Sequence, residues 1–280
     1  MKLIQTTAIK VFAFCTIATF FFGITSMTAQ AHFSNETEPN NTMETAETMA
    51  ANNEKPSGVP DGKREGQNII SGYVNNKDVD WFKILLKGGT NYMTCYGQSA
   101  GSFSFRITNS EGETLLSDVY SKTGRDLAVY HFETPEFGYY YVEILGTKTD
   151  STRYNFMIGS PTYELEIGYL SCEEGSITMT SSGGTRTAHF DGSTMPGLPA
   201  DAVVSDVRMT GVSSTAASSI RLENVKRDLS FNLTNLTWYG DDLISMNLPL
   251  DSMWIAQFEY RKAITFTPVL RVNYVYPVYE

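Results

Sequence analysis

Residues 36–41 read Glu-Thr-Glu-Pro-Asn-Asn, and residues 78–80 read Asp-Val-Asp. The Pro39 ring disfavours a helical Glu38 and holds this segment extended. In an extended segment alternate side chains share a face, so Glu36, Glu38 and Asn40 project together. Asp78 and Asp80 repeat that spacing at the head of a strand carrying Trp81 and Phe82, with Val79 packing between them. Four carboxylates brought together repel one another unless a cation sits among them. Hard oxygen donors in irregular backbone suit calcium, which takes six to eight of them. The histidines and cysteines lie elsewhere, which argues against zinc. Asp78 and Asp80 run into Phe82 and Lys83 without the glycine and closing glutamate of an EF-hand. By spacing alone, a solvated acidic linker and a turn-capping Asp pair describe these residues more readily than a metal site does.

The remaining chemistry is thinner. Gly97-Gln98-Ser99-Ala100-Gly101 satisfies the GxSxG pattern, but an alternating strand, Ser102-Phe103-Ser104-Phe105-Arg106, follows it. The hydrolase mechanism needs that serine on a strand-to-helix turn, so a small-residue hairpin is the reading here. A triad of Ser99, an aspartate and His131 has nothing to single it out. His189-Phe190-Asp191 reads as a strand end and Asp241-Asp242 as a turn, and no carboxylate pair is marked for glycoside hydrolysis. No catalytic residue is assigned. Outward aromatics suggest binding instead: Tyr139 and Tyr141 on one face, with Tyr92 and Tyr96 near them, could stack on a polymer. Packing at a domain interface is the competing account of these rings.

The elements that position these groups are strands. Residues 1–31 read as a secretory signal: Lys2 and Lys10, an apolar run from Val11 to Ile24, and small residues ending at Ala31. That run is short of the ~20 residues a membrane span needs. The chain carries 21 basic and 31 acidic residues, −10; removing the leader takes two lysines and no acid, leaving 19 against 31, or −12. Such a surface excludes nucleic acid and anionic membrane as natural partners and tolerates cations. Cys95 and Cys172 remain after cleavage, either as buried thiols or as a bridge that export would permit. A polar lead-in spans 32–68, and short strands at roughly ten-residue spacing follow, the pattern of a sandwich. Alternation turns Phe103, Phe105 and Ile107 inward, then Tyr140, Val142 and Ile144, then Tyr154, Phe156 and Ile158. Ser160-Pro161-Thr162 marks a boundary between a first β-sandwich at 69–160 and a second β-rich, sandwich-like domain at 161–280. No sequence repeat relates the halves.

Glu36-Thr37-Glu38-Pro39-Asn40-Asn41, Thr45-Ala46, Ile70-Ser71-Gly72, Asp78-Val79-Asp80-Trp81-Phe82 and Gly138-Tyr139-Tyr140-Tyr141-Val142 occur in that order. This series resembles the bacterial pre-peptidase C-terminal domain, over about residues 34–160. The resemblance implies an all-β, jelly-roll-like sandwich related to the collagen-binding domains of clostridial collagenases. It also implies Glu36, Glu38, Asn40, Asn41, Asp78 and Asp80 as calcium ligands. A polar insert, Asn52 to Gln67, is longer here than is typical of that family. The expectation is an exported, non-catalytic, calcium-stabilised binding or adhesion protein, secreted or at the cell surface. Its ligand would be an extracellular protein, collagen-like, or a polysaccharide. The alternatives are a secreted hydrolase with its site in the second domain, and an accessory or inhibitory partner of a separate protease.

Overall fold

A computed structural model describes residues 32–96, 101–121, 127–180, 184–213, 215–233, 238–239 and 243–280, with backbone alone at 238–239. Residues 1–31, read above as a secretory signal, Ser99 with most of its GxSxG stretch, and Asp241-Asp242 lie outside these residues. The described chain is all-β, and its helical elements are short 3-10 turns. Among the described residues no helix is long and apolar enough to cross a membrane.

Among the described residues ten strands precede residue 160: β1 (His32–Asn35), β2 (Glu47–Met49), β3 (Asn68–Val74), β4 (Val79–Leu86), β5 (Gly89–Cys95), β6 (Phe103–Thr108), β7 (Thr114–Tyr120), β8 (Ala128–Thr134), β9 (Gly138–Gly146) and β10 (Thr152–Gly159). They form two five-stranded sheets, ordered β1-β3-β10-β5-β8 and β2-β4-β9-β6-β7. From β3 to β10 the chain crosses between sheets in jelly-roll order, and β1 and β2 each add one parallel edge strand. The two inner faces interdigitate as alternation predicts, burying Phe103, Phe105, Ile107, Tyr140, Val142, Ile144, Tyr154, Phe156 and Ile158. Phe82 meets Phe156 edge-on at 5.5 Å, and Phe103 stacks on Tyr120 at 5.1 Å. Each such ring contributes about 1.5–3 kcal/mol by leaving water.

The rest of the chain supplies β11 (Tyr163–Ser171), β12 (Ile177–Met179), β13 (Thr185–Asp191), β14 (Val203–Thr210), β15 (Ala217–Asn224), β16 (Leu229–Asn232), β17 (Trp238–Tyr239), β18 (Met253–Tyr260), β19 (Ile264–Phe266) and β20 (Val269–Pro277). Two four-stranded sheets, β11-β20-β14-β17 and β13-β18-β15-β16, enclose a second core around Trp254, Phe190 and Phe258, with β12-β19 as a small extra pair. Leaving that pair aside, strand by strand the wiring is that of β3–β10 in the first sandwich, without counterparts of β1 and β2 among the described residues. The fold repeats although no sequence repeat is visible, because a jelly roll constrains alternation and connection order rather than residue identity. Leu243–Met246 forms a 3-10 turn, and β15 lies in a Ser- and Ala-rich stretch with little hydrophobic pattern.

Polar residues 32–68 also have a definite fold. Thr42 and Thr45 cap a 3-10 turn reciprocally, the Thr45 amide donating to Thr42 Oγ1 at 3.3 Å and the Thr42 amide to Thr45 Oγ1 at 3.1 Å. The insert folds back on itself, Asn53 N donating to Gly66 O at 2.9 Å and Arg64 N to Gly58 O at 2.9 Å. It then meets the start of the second sandwich. Asn52 Nδ2 donates to Ser160 O at 2.8 Å, and Thr162 Oγ1 to Glu54 Oε2 at 3.3 Å. The Arg64 guanidinium contacts Glu54 Oε1 at 3.1 Å and also donates to the Tyr163 carbonyl. The insert therefore serves the junction and does not separate Glu38 from Asp78.

Cys95 and Cys172 are free and buried, one in each half of the chain, so the bridge is not formed. Burial pushes the Cys172 thiol up to about 11; it donates to Glu174 Oε2 at 3.1 Å. His189 Nδ1 pairs with the other oxygen of Glu174, and the His189 amide donates to Oε2 at 3.0 Å. Desolvation pushes Glu174 upward, but the two bonds from His189, with that of Cys172, outweigh it and hold the carboxyl at about 2. This accounts for His189 as a structural partner of one turn.

Candidate metal centre

Asp80 stands second in β4, on the same side as Phe82 and Ile84, and its side chain is buried with them. A charged group at a core-facing position needs a compensating partner. Among the described residues neither Asp80 oxygen has a hydrogen-bond partner of good geometry, and Asp80 is 0% exposed. The Tyr154 hydroxyl, close enough to act on the Asp80 carboxyl, donates its one proton to Glu36 Oε2 at 2.5 Å. Asp78, just before β4, and Glu38, across the lead-in, bring one oxygen each within 4.8 Å of an Asp80 oxygen and of each other. Burial is the main force pushing the Asp80 carboxyl up to about 8; the charges of Glu36 and Asp78 add to it against a lowering contribution from Tyr154.

Asn40 is a second buried polar group in this lead-in, 0% exposed, with neither its side-chain oxygen nor its nitrogen bonded among the described residues. Its backbone is well anchored, accepting from Trp81 N at 2.8 Å and donating to Glu38 Oε2 at 2.9 Å. Orphaned buried polar atoms cost about 1–3 kcal/mol each and call for an explanation, an ion among the candidates. A cluster of three carboxylates could hold a metal ion, and the oxygen-only donor set is of the kind that hard cations take.

The six residues named from the sequence divide here. Glu38, Asp78 and Asp80 converge, and Asn40 is buried with its amide free. Asn41 turns its Nδ2 to Asp78 Oδ1 at 3.1 Å, so it orients that carboxylate. Glu36 accepts from Tyr73 N at 2.7 Å and from the Tyr154 hydroxyl, fastening β1 to the sandwich. It does so across Gly72, where a Cβ would lie 2.1 Å from Glu36 Oε2 and from the Tyr154 oxygen. The segment from 36 to 40 is no continuous strand, so alternation does not align its side chains; β1 ends at Asn35. Tyr154 was missed as a neighbour of this site, since its strand parity marks it only as a core ring.

The four tyrosines also part company. Tyr139 is exposed and Tyr141 half-buried, both on the outer face of the β2-β4-β9-β6-β7 sheet. Lys83 Nζ lies 4.3 Å from the Tyr139 ring centre and 5.9 Å from that of Tyr141. Beside them Arg106 pairs with Glu143 at 2.8 Å and faces Trp81 at 5.9 Å. Leu85 is exposed on the same side, and Phe137 is exposed in the turn just before β9. Alternation along β4 would have added Trp81, Lys83 and Leu85 to this face. Tyr92 and Tyr96 belong to β5 and its end, in the opposite sheet, and cannot join it. Tyr92 packs on Tyr279 at 5.5 Å at the domain junction, and Tyr96 is half-buried.

No family model matches the chain, and no curated protein matches it. Among solved structures it has a distant likeness to a pre-peptidase C-terminal domain. That domain, from a Bacillus anthracis collagenase, is 9% identical at a TM-score of 0.30, over 44% of this chain and 99% of the other. CorA, a surface-associated copper-binding protein of Methylomicrobium album BG8, is 8% identical at a TM-score of 0.28, over 40% of this chain and 97% of the other. The PBSX exported protein XepA is 8% identical at a TM-score of 0.24, over 74% of this chain and 84% of its own. These are remote similarities of shape, and the functional reading rests on the residues themselves.

Proposed function

We propose that this chain is an exported, non-catalytic binding or adhesion protein whose first sandwich is stabilised by calcium. The observation that carries the metal reading is Asp80, with both oxygens buried and unbonded between Asp78 and Glu38. In this reading Glu38, Asp78 and Asp80 hold the ion and the Asn40 side-chain oxygen completes the protein's donors. Asn41 and Glu36 steady the surrounding backbone. A divalent cation neutralises repulsion that burial would otherwise magnify, and ties the polar lead-in to β4. Calcium titrated into chelator-treated protein, followed by calorimetry, tests this directly; absence of binding at millimolar calcium overturns it.

The binding surface in this reading is the outer face bearing Tyr139, Tyr141, Lys83 and Trp81. Rings held by neighbouring strands present flat apolar area at low entropic cost, while Lys83, Arg106 and Glu143 supply polar contacts. Such a face suits an extended extracellular protein or polysaccharide. Tyr139→Ala is expected to weaken retention on immobilised collagen or polysaccharide at least tenfold, and Tyr141→Ala by less, because Tyr141 is already half covered. Stability should move by under about 1 kcal/mol in Tyr139→Ala, since that ring is exposed. Unchanged retention by both variants would remove this face from the proposal and leave the metal reading intact.

A further inference from the structure

Strand β11 runs nine residues, Tyr163–Ser171, along the edge of its sheet; among the described residues it pairs with no strand but β20, and the Arg64 guanidinium meets its first carbonyl, that of Tyr163. Its register is continuous, without a bulge, and its sequence, Tyr-Glu-Leu-Glu-Ile-Gly-Tyr-Leu-Ser, contains no lysine or proline. Those are common devices that keep an edge strand from pairing with another chain. Leu165, Ile167 and Tyr169 all point outward and are 46%, 51% and 62% exposed. The acids lie on the other face: Glu166 accepts from Tyr274 Oη at 2.7 Å and Glu164 from Tyr276 Oη at 3.0 Å. The edges of the facing sheet are less inviting. β13 opens with exposed Thr185, Arg186 and Thr187, and β16 has four residues.

We propose that β11 is a homodimer interface, pairing antiparallel with β11 of a second copy about a two-fold axis at Ile167. The argument is the register. With Ile167 opposite itself, Leu165 faces Tyr169 of the second copy, and Tyr169 faces Leu165. Glu166 falls opposite Gly168, and Glu164 opposite Leu170. The outer face then forms an unbroken apolar and aromatic ladder of cross-strand pairs, and no carboxylate stands opposite another. Gly168 itself is accounted for within the chain, where a Cβ would lie 2.7 Å from Met195 Sδ. An isologous contact of this kind closes on itself and joins two four-stranded sheets into one. The pairing is independent of the metal reading.

Cysteine substitution decides it. Residues directly opposite on antiparallel strands have Cα atoms about 4.5–5.5 Å apart, within disulfide range. The native Cys95 and Cys172 are buried and give little background. Ile167→Cys in the mature chain should convert mostly to a disulfide-linked dimer under mild oxidation. Leu165→Cys, whose own counterpart lies several residues away, should remain unlinked. Ile167→Lys, at an exposed position, should keep its melting temperature and circular dichroism while sedimenting as a monomer under conditions where the wild type is dimeric. A wild type that stays monomeric at every reachable concentration, equal linking at positions 165 and 167, or a dimer that survives Ile167→Lys overturns the proposal.

Discussion

Calcium added to chelator-treated protein is expected to raise the melting temperature of the first sandwich by about 5–15 °C, and Asp80→Asn to abolish the rise. At one hundred times its dissociation constant a ligand stabilises the folded state by about 2.7 kcal/mol. In a domain of this size that free energy amounts to a shift of this order. Asp80→Asn carries a second expectation that separates a metal site from an ordinary acidic cluster. Without metal, Asp80 is a buried carboxyl under pressure from burial and from Glu36 and Asp78. A neutral amide relieves that pressure, so in chelator the variant should melt at or above the wild type. With calcium the order reverses, because only the wild type gains. Differential scanning calorimetry of both proteins in both conditions measures the crossing. A wild type indifferent to calcium would sink the site, and a variant that still responds would remove Asp80 from it.

Arg64→Ala is expected to destabilise the protein by about 2–3 kcal/mol at pH 8 and by little at pH 4. The Glu54 side chain is 0% exposed, while that of Arg64 is 32% exposed. Breaking a buried pair by removing one partner costs about 3–5 kcal/mol, and the partial exposure of Arg64 lowers that figure. Burial already raises the Glu54 carboxyl above its ordinary 4.5, against the lowering effects of Arg64 and Thr162. Removing Arg64 raises it further. A carboxyl with a raised folded-state pKa favours folding below its unfolded value and loses that contribution as pH rises through the folded value. The penalty in Arg64→Ala therefore grows with alkalinity. Glu54→Gln combined with Arg64→Ala should flatten the pH dependence, because no buried charge is left to orphan. Urea unfolding from pH 4 to pH 8 gives the slopes; a penalty independent of pH would place its origin in the lost bond from Arg64 to the Tyr163 carbonyl.

Several features of this chain could be read before any contact was known. Phe103, Phe105 and Ile107 point inward because successive strand residues alternate faces, a property of two neighbours along the chain. The same logic found Tyr139 on an outer face and made the whole chain β. The acids of residues 36–41 and 78–80 were recognisable as oxygen donors from type and spacing.

Other features depend on which strands lie side by side. Tyr92 and Tyr139 both read as strand tyrosines, and only the pairing of β5 with β8 and β10 sets Tyr92 in the opposite sheet. Asp78 and Asp80 read as equivalent, yet β4 turns Asp80 inward with Phe82. Asn40 and Glu36 share a spacing, but Tyr73 and Tyr154 draw Glu36 aside while Asn40 is buried. The insert at 52–67 looked like slack between two half-sites and proved to be packed against the second sandwich. The sequence by itself determined the all-β class, the inward and outward faces of its clear strands, and the supply of carboxylates. The tertiary structure alone decided which carboxylate is stranded in the core and that both halves share one wiring. Periodicity is written in adjacent residues, whereas burial of a charge is decided by partners tens of residues away.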